Sequence, residues 1–157
     1  MVTEGEFEHE LRVVVELARR AGEAALAFYG KPLRVEHKGE FDEPVTQADR
    51  SVNELIVRAL GESFPGDGVL AEESVDASER LSRERVGMVD PIDGTKGFIA
   101  GTGDFCVQIG LAVGGRAALG VLYAPATDVL YWAARGHGAW VVRPTSEADR
   151  STKAERL

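Results

Sequence analysis

Cysteine is almost missing from this chain: Cys106 stands alone among 157 residues, inside the apolar run "FCVQIGLAV". No disulfide can form within the chain, and a buried thiol in a reducing compartment is the expectation. Basic charge is also short, with 18 Lys and Arg against 26 Asp and Glu for a net charge of -8. That balance repels nucleic-acid backbones and anionic membranes unless a local basic patch or bound cations intervene, and no dense basic cluster occurs. Long apolar runs are lacking, none approaching the ~20 residues of a membrane helix. The N-terminal "MVTEGEFEHELRVVV" has acids where a secretion signal needs a basic start. A phosphate-binding G-x-x-x-x-G-K-[ST] loop is absent, as are internal repeats. His9, His37 and His137 lie in separate segments without ligand spacing, which disfavours zinc. These absences imply a soluble, cytoplasmic protein with neither nucleic acid nor membrane as partner.

The length suits one domain with a real core, near the common size of roughly 100 to 150 residues. Between Phe7 and Tyr29, apolar residues recur close to a helical period, and Gly30, Lys31 and Pro32 end that helix. "LRVEHK" alternates as a strand does, and "KGEFDEP" reads as an exposed acidic loop. Thr46 opens a second amphipathic helix closed by "FPGDG". After it the period changes. "GVLAEE" and "RVGMVD" are short apolar runs ending in acids, as buried strands opening onto a site would be. From Phe105 onward, "FCVQIGLAV", "AALGVLYA", "DVLYWAA" and "GAWVV" alternate with turn-forming residues, which predicts an antiparallel meander. The expected class is α+β, with two N-terminal helices packed on a largely antiparallel sheet. Residues 1–143 form the expected domain, and 144–157 lose the apolar period and read as an exposed tail. Cys106, Trp132 and Trp140 are assigned to core packing.

Acids gather in three places: Glu72 and Glu73 after one strand, Asp90 and Asp93 after another, and Asp49 near a helix start. Hard divalent cations such as Mg²⁺ need oxygen ligands, mainly one or two carboxylates with water and substrate phosphate. In "DPIDGTKGF" the proline interrupts the strand ladder, so Asp90 and Asp93 can turn toward one point and leave the Ile92 carbonyl free as a further ligand. Gly94 and Thr95 permit close approach and can begin a helical turn whose free N–H groups attract phosphate. Each feature has a plainer reading. Asp-Pro and Asp-Gly are ordinary turn formers. Thr46 to Asp49 also fits a helix capping box, and Glu73 and Lys38 fit solvent-facing charges. Three acidic clusters, each ending an apolar element, favour a cation that gathers them.

"EPVTQADRSVNELIVRAL", "FPGDGVLAEES", "MVDPIDGTKGF" and "LGVLYAPATDVLYWAARGHGAW" resemble, in order and spacing, the magnesium-dependent, lithium-sensitive phosphatases of the inositol monophosphatase superfamily. "DGTKGF" with "GTGDFCVQIGLAV" is most similar to the 3'(2'),5'-bisphosphate nucleotidase branch. The resemblance implies a sugar-phosphatase-like layered fold, Mg²⁺ as cofactor, and phosphomonoester hydrolysis by activated water without a phosphoenzyme. Its implied substrate is a small phosphate ester, adenosine bisphosphate or alternatively inositol phosphate, and its implied assembly is a homodimer. Carried over by position, Glu72, Asp90, the Ile92 carbonyl and Asp93 would bind metal. Gly94 and Thr95 would cradle phosphate, Glu72 with Thr95 would orient the attacking water, and Asp49 with Thr46 would assist a second water. Lys38 matches a basic residue beside a mobile loop.

The sequence departs from the family pattern at two points. Gly87 replaces an aromatic residue before "VDPIDGT", which marks looser packing or a close backbone approach. Family members also continue into a C-terminal αβ segment carrying another metal-ligating aspartate, which has no counterpart up to Leu157. Residues 144–157 are then an exposed tail or the start of that segment. A haloacid-dehalogenase-like phosphatase is disfavoured because two residues, not one, separate the aspartates of "DPIDGT". The remaining rival is a truncated, non-catalytic metal-binding or dimerisation module.

Overall fold

The computed structural model describes residues 5–144 and 152–157. Helix α1 spans Glu8–Leu26 and α2 spans Gln47–Ser63. A two-stranded hairpin, β1 (Val35–Lys38) and β2 (Glu43–Thr46), links them. A seven-stranded sheet follows: β3 (Gly68–Ala71), β4 (Arg85–Asp93), β5 (Cys106–Val113), β6 (Arg116–Ala124), β7 (Val129–Ala134), β8 (Gly138–Pro144) and β9 (Thr152–Arg156). A 3₁₀ turn at Ser78–Ser82 lies between β3 and β4, and a short helix α3 (Thr95–Ala100) follows β4. Strand order equals chain order from β3 to β9, with β3 and β4 parallel and every other neighbour antiparallel. The class is α+β with a largely antiparallel sheet.

Both long helices cover one face of the sheet, α1 over β5 and β6 and α2 over β3 and β4. Their apolar stripes explain this. Val14, Leu17, Ala18 and Ala21 of α1 and Val52 and Ile56 of α2 are buried against Val89, Val107, Ile109 and Val121. Small residues let α1 approach closely: a Cβ on Gly22 would stand 2.4 Å from the Tyr123 ring. Arg19 of α1 bonds Asp128, which also accepts from the Tyr123 hydroxyl, so the β6–β7 turn is tied to the helix. Arg85 of β4 joins Asp67 and Glu10, fixing the other end of α1 to the sheet.

Several sequence expectations needed adjusting. Helix α1 stops at Leu26, before the expected Tyr29, because the chain tightens through a turn to Gly30 at φ 73°. Only residues 39–42 of "KGEFDEP" form a loop. Its last residues enter β2, with Glu43 opposite Lys38 and Pro44 opposite His37. A two-stranded ribbon has free edges, so proline is tolerated there. The tail contains β9, which pairs with β8 from Pro144–Thr152 to Trp140–Arg156, although its exposed "AERL" shows no alternation. Residues 145–151 of that tail lie outside the described residues. Trp132 and Trp140 are partly buried cross-strand neighbours stacked 5.7 Å apart, and Trp140 Nε1 donates to the His137 carbonyl. Cys106 is only half-buried and points away from the helices, unlike its buried neighbours Phe105 and Val107.

Candidate active site

Along a regular strand, residues three apart face opposite sides. Asp90 and Asp93 escape that rule through an irregularity in the ladder. Asp90 pairs with Gln108 and Asp93 with Cys106, so β4 advances three residues while β5 advances two. The extra residue is a bulge. Because Gln108 and Cys106 share one face, the bulge puts both aspartates on that face, opposite the helices. Pro91 and Ile92 sink into the interior at this point. Glu72 follows β3, its N–H donating to the Val89 carbonyl at 3.0 Å, and continues the β3 alternation onto the same face.

Asp90 is the strained member of this group. Burial, then the charge of and hydrogen bond with Glu72, then the charge of Asp93, push its carboxyl up to about 8. Its Oδ1 is buried and receives no hydrogen bond. Burial and the neighbouring acids thus disfavour the charged form of the Asp90 carboxyl. Asp93 is exposed and accepts from the Gln108 side-chain amide, with the Cys106 thiol 3.8 Å away. Burial is the main force that pushes that thiol up, so it stands protonated beside the acids.

Among the described residues no three His, Cys, Asp or Glu side chains close into a complete metal cage. A divalent cation with a preference for water and phosphate oxygens does not need one. Two adjacent carboxylates, an unpartnered buried carboxylate oxygen and a nearby backbone carbonyl fit such a cation. The carbonyl is that of Ile92, whose oxygen lies 3.1 Å from the Thr95 hydroxyl oxygen.

A second network lies on the helix side of the segment. Thr46 caps α2: its Oγ1 accepts from the backbone of Ala48 and Asp49, while Asp49 Oδ2 accepts from the Thr46 N–H at 2.7 Å and hydroxyl at 2.6 Å. Both halves of the capping box are present, a contribution of about 1 kcal/mol. Asp49, only 1 % exposed, has its other oxygen free to accept from the Thr95 hydroxyl at 3.0 Å. Capping and contact with the site coexist in one carboxylate.

Gly94 joins the two networks. Its φ is 88°, and a Cβ there would stand 2.4 Å from the Asp104 carbonyl oxygen. No other residue fits both demands. The turn it makes starts α3, whose Phe98 N–H returns to the Gly94 carbonyl at 3.0 Å. The N–H groups of Thr95, Lys96 and Gly97 precede any intrahelical acceptor.

Lys38, at the hairpin's end, bonds Glu73 at 2.5 Å and Glu72 at 3.5 Å. Burial lowers its ammonium's proton affinity, but the bond to and charge of Glu73, then Glu72, outweigh this and hold it above the ordinary lysine value. The sequence reading of Lys38 and Glu73 as solvated charges missed this pair, which joins residues 35 positions apart. It also missed Gln108, though a glutamine inside "CVQIGLAV" was a visible polar interruption.

Acids at strand ends, a bulge that gathers two of them and a Gly–Thr turn against a capped helix thus meet on one α+β layer fold. A profile of the inositol monophosphatase family matches residues 7–157, and the chain belongs to that family. It is 43 % identical over 133 residues to the 3'(2'),5'-bisphosphate nucleotidase CysQ of Salmonella typhimurium, covering 83 % of this chain and 53 % of the relative. It is 41 % identical to a histidinol-phosphatase of Chlorobaculum parvum, covering 84 % and 50 %. The crystal structure of extragenic suppressor protein suhB from Bartonella henselae superimposes with a TM-score of 0.79 at 36 % identity, covering 85 % of this chain and 52 % of the other. The chain thus spans about half the length of the curated relatives it matches.

Proposed function

We propose that this chain forms the metal- and phosphate-binding part, residues 1–143, of a Mg²⁺-dependent phosphomonoesterase. The observation that carries the reading is the buried, donor-free Asp90 oxygen held beside Glu72. Two carboxylates kept this close are relieved by a cation. Glu72, Asp90, Asp93 and the Ile92 carbonyl would hold it. When bound, Mg²⁺ supplies Lewis-acid polarisation of the phosphoryl group and eases deprotonation of the attacking water. The chain's own residues do the remainder. Gly94 and Thr95 receive phosphate oxygens on backbone N–H groups. Asp49 accepts the Thr95 hydroxyl proton, leaving the Thr95 oxygen lone pairs to orient water, and Glu72 accepts that water's proton. Asp49 and Thr46 form the same network's anchor and support a second water.

The substrate is a small phosphate ester. Adenosine 3',5'-bisphosphate is favoured by "DGTKGF" and the CysQ relatives, with inositol phosphate and histidinol phosphate as alternatives that other relatives suggest. A cytoplasmic setting, lithium inhibition and homodimer assembly belong to the same reading and rest on family resemblance.

Phosphate release from these three esters at saturating Mg²⁺, with Asp90→Asn as control, tests it. Turnover of one ester that Asp90→Asn abolishes sustains the reading and selects the substrate. Mg²⁺ binding with no release from any ester instead leaves a non-catalytic metal-binding module.

A further inference from the structure

Among the described residues the buried polar side chains are Thr46, Asp49 and Asn53, and all three lie at the start of α2. The first two belong to the site above. Asn53 is 4 % exposed, donates from Nδ2 to the Ser74 Oγ at 2.8 Å, and has a buried Oδ1 with no donor. An apolar side chain would fill this place without an unmet acceptor, so a polar group kept there against that penalty points to a duty. We propose that Asn53 is a positioning residue that fixes the turn carrying Glu72 and Glu73, so that one face of α2 sets the spacing between the two halves of the site. This rests on reading the site as a divalent-cation site.

The geometry supports a ruler. Asp49 and Asn53 are four residues apart and therefore share a helix face, offset by about 6 Å along the axis. Asp49 grips Thr95, beyond the bulge of β4, and Asn53 grips Ser74, beyond Glu72. The turn is otherwise held by the bond from Glu72 N–H to Val89, that from Ser74 N–H to Ala71, and the Lys38 ion pairs to Glu73 and Glu72 from the hairpin. Residues 74–77 beyond it are exposed. Without Asn53 the far side of the turn loses its only side-chain tie to the helix among the described residues, and Glu72 keeps only the Lys38 side chain to hold its place relative to Asp90.

Mn²⁺ affinity, read by the loss of the free-ion paramagnetic signal, and thermal melting test this on the wild-type chain, Asn53→Leu, Ser74→Ala and the double variant. Removing groups that orient metal ligands weakens metal binding by roughly 10- to 100-fold. The dissociation constant should rise about tenfold in each single variant, near the lower end of that range, and no further in the double, since both lose the same bond. Ser74→Ala should melt within a few degrees of wild type, which separates positioning from folding. If Asn53→Leu fails to fold, Ser74→Ala decides alone because its side chain reaches the bond from the solvent side. Unchanged Mn²⁺ affinity in the folded variants, or single effects that multiply in the double, overturns the inference while leaving the cation site standing. A wild-type chain that binds no Mn²⁺ overturns both.

Discussion

From Val107 to Leu111 on β5 and across its neighbour β6, side chains alternate regularly: Val107, Ile109 and Leu111 face Tyr123, Val121 and Leu119 in the core. At the end of β4 and the start of α2, by contrast, the candidate site residues occupy departures from regularity. Asp90 and Asp93 flank a bulge, Gly94 is left-handed, and Asp49 sits in a helix cap. The comparison teaches that the meander is a rigid wall while the neighbouring strand ends carry the charge. Stability and chemistry are therefore separable by mutation.

The largest expected effect breaks the chemistry and spares the wall. Asp90→Asn removes a cation ligand and should lower phosphate release by about a thousandfold, since ligand-held cations supply several kcal/mol to such reactions. Its metal-free melting temperature should not fall, because the substitution also removes the repulsion from Glu72. A large drop in metal-free melting would assign Asp90 to the fold instead. Ile109→Ala does the reverse. It opens a cavity in the wall, expected to cost about 3 kcal/mol in denaturant unfolding. Mn²⁺ affinity in the folded protein should stay within about twofold of wild type. Gly94→Ala falls between these two: the left-handed φ and the 2.4 Å approach to the Asp104 oxygen should cost about 2 kcal/mol and weaken metal binding together. A stable variant with normal metal binding would mean that the β4–α3 turn has room to yield.

Most of the separation could be read from the chain. Alternation disclosed the meander, the Thr46-x-x-Asp49 spacing disclosed the cap of α2, and Asp-Pro before Asp-Gly-Thr disclosed an interrupted strand. These signals are local, set by residues within a few positions of one another. What stayed hidden depends on distant partners. Strand β2 exists because Glu43 meets Lys38 across a hairpin, and β9 because β8 offers it an edge. Lys38 with Glu73 and Asn53 with Ser74 are meetings of segments far apart in sequence. The sign of the bulge was also hidden: proline announces an interruption, but only the pairing of Asp93 with Cys106 shows that both aspartates come to one face.

A dependence on pH sharpens the comparison further. Burial and the neighbouring Glu72 push the Asp90 carboxyl up to about 8, far above its unfolded range near pH 4. Across about pH 5 to 8 the folded metal-free protein retains a proton that the unfolded chain has released. Stability then falls as pH rises through that window and levels off above it. A saturating divalent cation displaces the proton, so the slope should vanish with Mg²⁺ and metal affinity should increase with pH up to about 8. Denaturant unfolding of wild type and Asp90→Asn at matched pH isolates this one group. The difference between them should shift steadily from pH 5 to 8 without metal and stay flat with it; a flat difference in both conditions would show that Asp90 is already ionised and that Glu72 stands farther away. Ile109→Ala, whose side chain packs in the buried core on the helix side of β5, should lower the curve evenly at every pH and leave its slope in place.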